Sequence, residues 1–393
     1  MAVSGEVAGF TVGAAMAGVK DGTPRRLDVA LIVSDRPCAA AGVFTTNQVI
    51  AAPCVVTRRH LERGKLRAIV VNSGNANACT GPQGEHDAIA MAEAAAAKIG
   101  CDPHEVAVAS TGVIGVPLPV ARITAAVKDM LLSPARWSDV ASAIMTTDTK
   151  PKSIGTELAL SSGIVRLHGV AKGAGMIHPN MATLLCFVLT DADVDQSALR
   201  EVVPYAADTS FNAISVDGDT STNDTLLLLA NGAAGVKVRG RDLGVFKGAV
   251  RALCETLARE IVADGEGVTR VFEVMVKGAA SDDDAKRAAR TITTSNLVKT
   301  AMHGADPNWG RILAAAGRSG AKIDAARATV RIGDVVVFDV GAPRAFDAER
   351  VRGIISQPQI WIEVELGLGS GKAHAWGTDL SAEYVRINAD YTT

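Results

Sequence analysis

Lys172-Gly-Ala-Gly-Met-Ile-His-Pro-Asn-Met-Ala-Thr-Leu-Leu185 places a segment hostile to regular structure directly before a run of strand formers. Glycine and proline together cannot continue a helix or a central strand, so residues 173–180 are expected to form a constrained turn. The residues that follow, Thr183-Leu-Leu-Cys-Phe-Val-Leu-Thr190, are apolar and read as a buried strand. A small residue, Ala182, thus precedes a β-branched hydroxyl residue, Thr183, where the turn enters the strand. That order suits attack of the Thr183 hydroxyl on the Ala182 carbonyl, and hydrolysis of the ester would leave Thr183 as a new N-terminus. A threonine beside its own free amine is an activated nucleophile. An α-amine titrates near ~8 and serves as a base at neutral pH without a histidine. A nearby cation such as Lys172 would lower that value further. The plainer reading of the same residues is a Gly-rich connection into a core strand, and spacing alone leaves both open.

Around this stretch the pattern is that of layered α/β structure. Strands are expected at Leu27–Val33, Ala68–Val71, Asp224–Ala230, 271–277 and 328–340, with helices at His86–Ile99, Pro119–Leu132 and Gly244–Val262. In the last helix Phe246, Val250, Leu253 and Leu257 recur on one face. Residues 359–391 read as a β-meander broken at Gly369-Ser-Gly371. The chain of 393 residues is long enough for a large core, and at 48% hydrophobic but 4% aromatic that core must be aliphatic.

Composition excludes several classes. A net charge of −2 with interspersed signs gives no footprint for nucleic acid or acidic membranes. No apolar run reaches the ~18 residues needed to span a bilayer. The apolar stretch Val7–Val19 lacks a basic flank and has Glu6 at its edge, so a signal segment is not expected. The six cysteines (38, 54, 79, 101, 186 and 254) form no CxxC pair, which points to a reduced, cytoplasmic setting and no structural metal. Asp217-Gly-Asp-Thr-Ser-Thr-Asn223 begins like a calcium loop but has Thr222 and Leu228 where glycine and glutamate are required. Gly369-Ser-Gly-Lys372 ends like a phosphate loop but has Leu366 and Ala373 at its other key positions. Gly173-Ala-Gly-Met-Ile-His178 is one glycine short of a dinucleotide fingerprint, and a structural role is expected for His178.

The run KGAGMIHPNMATLL resembles the cleavage segment of the ornithine acetyltransferase (glutamate N-acetyltransferase) family of arginine biosynthesis. The resemblance extends through Ala41–Asn47, Asn72–Gly81, Ser110–Gly115, Ile144–Thr149, Ser210–Asn212, Val216–Asp224, Asp264–Gly267 and Asp306–Arg311, in the same order. It implies an intertwined, self-cleaved α/β acyltransferase, with residues 1–182 and 183–393 as its two chains and an α2β2 assembly. It implies Thr183 as nucleophile, cut from Ala182, with Thr111 and Gly112 holding the oxyanion. It also implies substrate contacts from Thr149, Lys172, Glu266, Asn388 and Thr393. By spacing alone Thr111-Gly112 is a simple turn, Glu266 a solvated turn charge, and the C-terminus a frayed tail. The implied reaction moves acetyl from N2-acetyl-L-ornithine to L-glutamate without a cofactor, with acetyl-CoA as a further donor in some members. The rivals are an aminopeptidase or amidohydrolase that uses the same nucleophile with water, and a non-catalytic metabolite-binding protein.

Overall fold

The apolar runs are unbroken because their strands are buried on both faces. The computed structural model describes residues 6–178 and 184–390; Ala182, Thr183 and Thr393 lie outside them. Among the described residues one sheet holds β1 (Phe10–Ala15), β2 (Val29–Phe44), β3 (Leu66–Asn75), β4 (Val106–Val113), β5 (Lys152–Leu160), β6 (Gly163–Lys172), β7 (Leu185–Thr190) and β9 (Thr225–Ala230). Its order is β4-β3-β2-β9-β7-β6-β5, with β1 paired to β2. In β7 and β9, Cys186, Val188, Leu226 and Leu228 enter one core, and Leu185, Phe187, Leu189, Leu227 and Leu229 the opposite one. Helices Gln196–Asp208 and Arg241–Ala263 close the first core, and Trp137–Ala143 packs into the second. Each fully buried Leu side chain contributes ~1.5–3 kcal/mol, so these two strands anchor the molecule.

A second sheet contains β8 (Ile214–Ser215), β10 (Val271–Ala279), β11 (Thr329–Ile332), β12 (Val335–Asp339), β13 (Ala342–Pro343), β14 (Gln359–Glu365) and β15 (Gly371–Thr378), in the order β13-β12-β11-β14-β10-β15-β8. Helices Asp282–Thr293, Asn296–His303 and Trp309–Gly317 supply its core partners, including Ala285, Ile292, Val298 and Ile312.

The fold is layered α/β with mixed strands and helices, as the sequence pattern predicts, with three differences. The strand expected over 328–340 is a hairpin of β11 and β12, turned at Gly333-Asp334. The strand expected at Leu27–Val33 is the first part of a 16-residue strand. After a register shift between Val33 and Cys38, β2 leaves β3 and pairs with β9. The expected meander over 359–391 ends at Thr378, because Ala382–Asp390 is a helix. Tyr384, Val385 and Ile387 favour strands, but the Ser381 hydroxyl accepts the Tyr384 N–H and starts a helical turn. No described helix is long and apolar enough to cross a membrane.

Candidate active site

The ends of β4 and β6 meet at a cleft. Parallel pairing with β3 sets Thr111 opposite Ser73 and Gly112 opposite Gly74. Gly112 has φ +133°, and a Cβ there would lie 2.3 Å from the Gly74 carbonyl carbon, so only glycine fits. Lys172, the last residue of β6, is 3% exposed. Its Nζ donates to Thr146 Oγ1 at 2.8 Å and to Thr111 Oγ1 at 3.3 Å. Burial pulls the Lys172 pKa below the usual lysine value, against the attraction of Asp148.

Behind Lys172 lies a group of buried charges. Lys152 Nζ donates to Asp148 at 2.8 Å and to Asp264 at 2.6 Å. Asp148 also accepts the Gly173 N–H at 2.7 Å and the Thr146 N–H at 3.1 Å. Burial alone would raise the Asp148 pKa, but Lys172 and Lys152 outweigh it and hold the carboxyl at about 2. Asp264, at the end of helix Arg241–Ala263, accepts the N–H and the hydroxyl of Thr149.

The opposite wall comes from the turn after that helix. Glu266 is tied by its N–H to Ala174 O at 3.0 Å. Gly175 leaves room for the Glu266 carboxylate, since a Cβ there would fall 2.4 Å from its carboxyl atoms. Asn388 Nδ2 donates to Glu266 Oε2 at 2.8 Å, which brings the C-terminal helix to the rim. Asp217 accepts the N–H groups of Met176 and Ile177 at 2.5 and 2.9 Å, and burial raises its pKa to about 6. The cleft, about 590 Å³ counted to its open mouth, is lined by Thr111, Gly112, Thr146, Lys172, Gly175, Glu266 and Asn388 among others. That size suits a small metabolite.

Five of the predicted residues therefore converge: Thr111, Gly112, Lys172, Glu266 and Asn388. Thr149 is exposed, absent from that lining, and turned toward Asp264. His178 is half-buried and likewise absent from the lining, and burial lowers its pKa. Thr183 lies outside the described residues, but its covalent neighbour Leu184 is buried and donates its N–H to Asp224 Oδ1 at 2.9 Å. Sequence reasoning assigned no role to Asp224. Burial raises its pKa well above the usual aspartate value, and its Oδ2 has no partner among the described residues. Lys152, Asp148 and Asp264 were missed for another reason: Lys152 and Asp264 are 112 positions apart, and only the fold joins them.

Comparison with known proteins fits this geometry. The family model described as the ArgJ family matches residues 11–393. The chain belongs to the ArgJ family. Among its relatives in that family, the arginine biosynthesis bifunctional protein ArgJ of Symbiobacterium thermophilum is 50% identical over 391 residues, covering 98% of this chain and 97% of the relative. The Geobacter sulfurreducens protein of the same name is 49% identical over 394 residues, covering 98% and 100%. A solved chain of the Bacillus halodurans arginine biosynthesis bifunctional protein argJ is 41% identical with a TM-score of 0.51, and covers 52% of this chain and 98% of its own.

Proposed function

We propose that the chain cuts itself between Ala182 and Thr183 and then moves acetyl from N2-acetyl-L-ornithine to L-glutamate through an ester on Thr183. The observation that carries this reading is the convergence of Thr111, Gly112, Lys172, Glu266 and Asn388 on one cleft at the end of β6, the strand that leads into the Thr183 segment.

In the first step Thr183 Oγ attacks the Ala182 carbonyl and its proton passes to the departing nitrogen as the C–N bond breaks, which frees the Thr183 amine; water then hydrolyses the ester to release the Ala182 carboxylate and the Thr183 hydroxyl. In turnover that amine takes the Oγ proton as Oγ attacks the acetyl carbonyl. The Thr111 hydroxyl and the Gly112 N–H stabilise the developing oxyanion. The tetrahedral intermediate collapses, and the ammonium of Thr183 returns its proton to the departing ornithine nitrogen. The glutamate amine then attacks the acetyl ester and regenerates Thr183. Glu266 and Asn388 hold the amino end of the substrate. Thr149 and Thr393 are secondary contacts in this reading.

Acetylation of glutamate from acetyl-CoA is the companion activity, in keeping with the relatives' description as bifunctional. No bound cofactor or metal is required. Residues 1–182 and 183–393 form one unit, assembled as α2β2 in the cytoplasm. Acetylornithine alone should load one acetyl group on the peptide that begins at Thr183, and glutamate should remove it. Loss of acetyl to water at the same rate without glutamate would mean a hydrolase, and a protein that never acquires acetyl would be a binding protein.

A further inference from the structure

Lys152 is absent from the cleft lining, yet it is among the largest fully buried side chains of the described residues. It belongs to a set of four buried charges whose side chains are 4% exposed or less: Lys152, Lys172, Asp148 and Asp264. The arrangement is unequal. Lys152 contacts both carboxylates at hydrogen-bond distance, whereas Lys172 Nζ stays 4.0 Å from Asp148 Oδ2. Asp148 Oδ1 is taken by Lys152 and the Gly173 N–H, and Oδ2, the oxygen nearer Lys172, accepts the Thr146 N–H. Lys172 is thereby left to donate to Thr111 and Thr146.

We propose that Lys152 is a positioning residue: by saturating Asp148 and Asp264 it keeps the Lys172 ammonium off Asp148 and directed at Thr111. Without its charge, two buried carboxylates would share one cation. Asp148 would then draw Lys172 into a direct pair and away from Thr111. The bracing also reaches the loop that carries Thr146 and Thr149, since Asp148 and Asp264 hold that loop by its N–H groups. This inference rests on the reading of Lys172 and Thr111 as active-site groups.

The charged and titratable groups that act on Lys172 are Asp148 from its loop, Lys152 from β5, Glu266 from the turn after Arg241–Ala263, and Asp224 ahead of β9. Asp148, Glu266 and Asp224 favour the ammonium, and Lys152 opposes it. Replacing Lys152 with methionine removes the opposing charge and frees Asp148, so both effects strengthen the ammonium.

The test measures acetyl transfer against pH for the mature wild-type protein and for Lys172→Met, Lys152→Met, Lys152→Arg and the double variant Lys152→Met/Asp264→Asn. The double variant restores charge balance where Lys152→Met alone fails to fold. In wild type the rate should fall on the alkaline side as Lys172 deprotonates, and Lys172→Met should lack that limb. Loss of the Lys152 charge, alone or in the double variant, should lower kcat by about 10²-fold with little change in KM, as for a misplaced catalytic group. It should also move the alkaline limb up by about one pH unit or more. Lys152→Arg should keep the wild-type limb. If the double variant folds with wild-type kcat and an unmoved limb, Lys152 is only a stability element and the inference fails. If Lys172→Met keeps the limb, the reading of Lys172 is itself wrong and the inference falls with it.

Discussion

Lys172 Nζ lies 3.3 Å from Thr111 Oγ1, and this contact has a fixed direction. An ammonium has no lone pair, so Thr111 must accept, and its own proton is free for another acceptor. In the proposed reading Lys172 therefore polarises the Thr111 hydroxyl, beside the substrate contact that the resemblance implies for it. Thr111→Ala should therefore lower kcat by ~10²–10³-fold with little change in KM. Thr111→Ser, which keeps the hydroxyl, should retain most of the rate. Steady-state kinetics checks both; a rise in KM alone would make Thr111 a substrate contact.

Self-cleavage is read most directly by mass. The purified protein should give fragments of 182 and 211 (393 − 182) residues, about 19 and 22 kDa by proportion of 40.6 kDa. Thr183→Ala should remain a single chain. Continued cutting of that variant at the same bond would remove Thr183 from the mechanism.

Two glycines beside the cleft separate folding from binding. At Gly112 an added Cβ meets backbone at 2.3 Å with φ at +133°, so Gly112→Ala should cost several kcal/mol and lower the melting temperature. At Gly175 the clash is with the Glu266 side chain, which can swing aside. Gly175→Ala should melt near the wild-type temperature but raise KM roughly tenfold, the effect of ~1.4 kcal/mol of lost binding.

Asp217 predicts a pH signature in stability. Burial raises its folded pKa from 3.8 to about 6, so between these values the folded state holds the proton more tightly than the unfolded chain. Its contribution to stability is therefore full below about pH 4 and lost as pH rises through about 6, a change on the order of 3 kcal/mol. Asp217→Asn should flatten the dependence of the unfolding midpoint between pH 4 and 6.5. An unchanged slope would show that Asp217 titrates normally.

Much of the fold could be read from the chain because its strands are apolar in unbroken runs. Leu226–Leu229 has no polar residue to disguise it, and Phe246, Val250 and Leu257 repeat at helical spacing and are buried. The C-terminal helix misled because no residue in it is buried, so it carries no 3.6-residue apolar period. Its position depends on contacts with Glu266 and Gly267, more than a hundred residues earlier. In the site, Thr111, Gly112 and Glu266 were legible through family motifs. Lys152 gave no such signal, because Asp148 lies only four residues before it and its other carboxylate, Asp264, is brought in from 112 residues away by the fold.

The sheet order also sets a schedule for the molecule's life. β7 and β9 lie between β2 and β6, so strands from both sides of position 183 alternate across one ladder. A separately made 1–182 polypeptide would be a fence with two slats missing, with raw edges on β2 and β6 open to association with other chains. The 183–393 polypeptide would hold those two slats with nothing on either side. The continuous chain thus acts as its own assembly jig: the proposed cut can only follow folding of the whole chain, and refolding from separated halves should yield aggregate rather than enzyme.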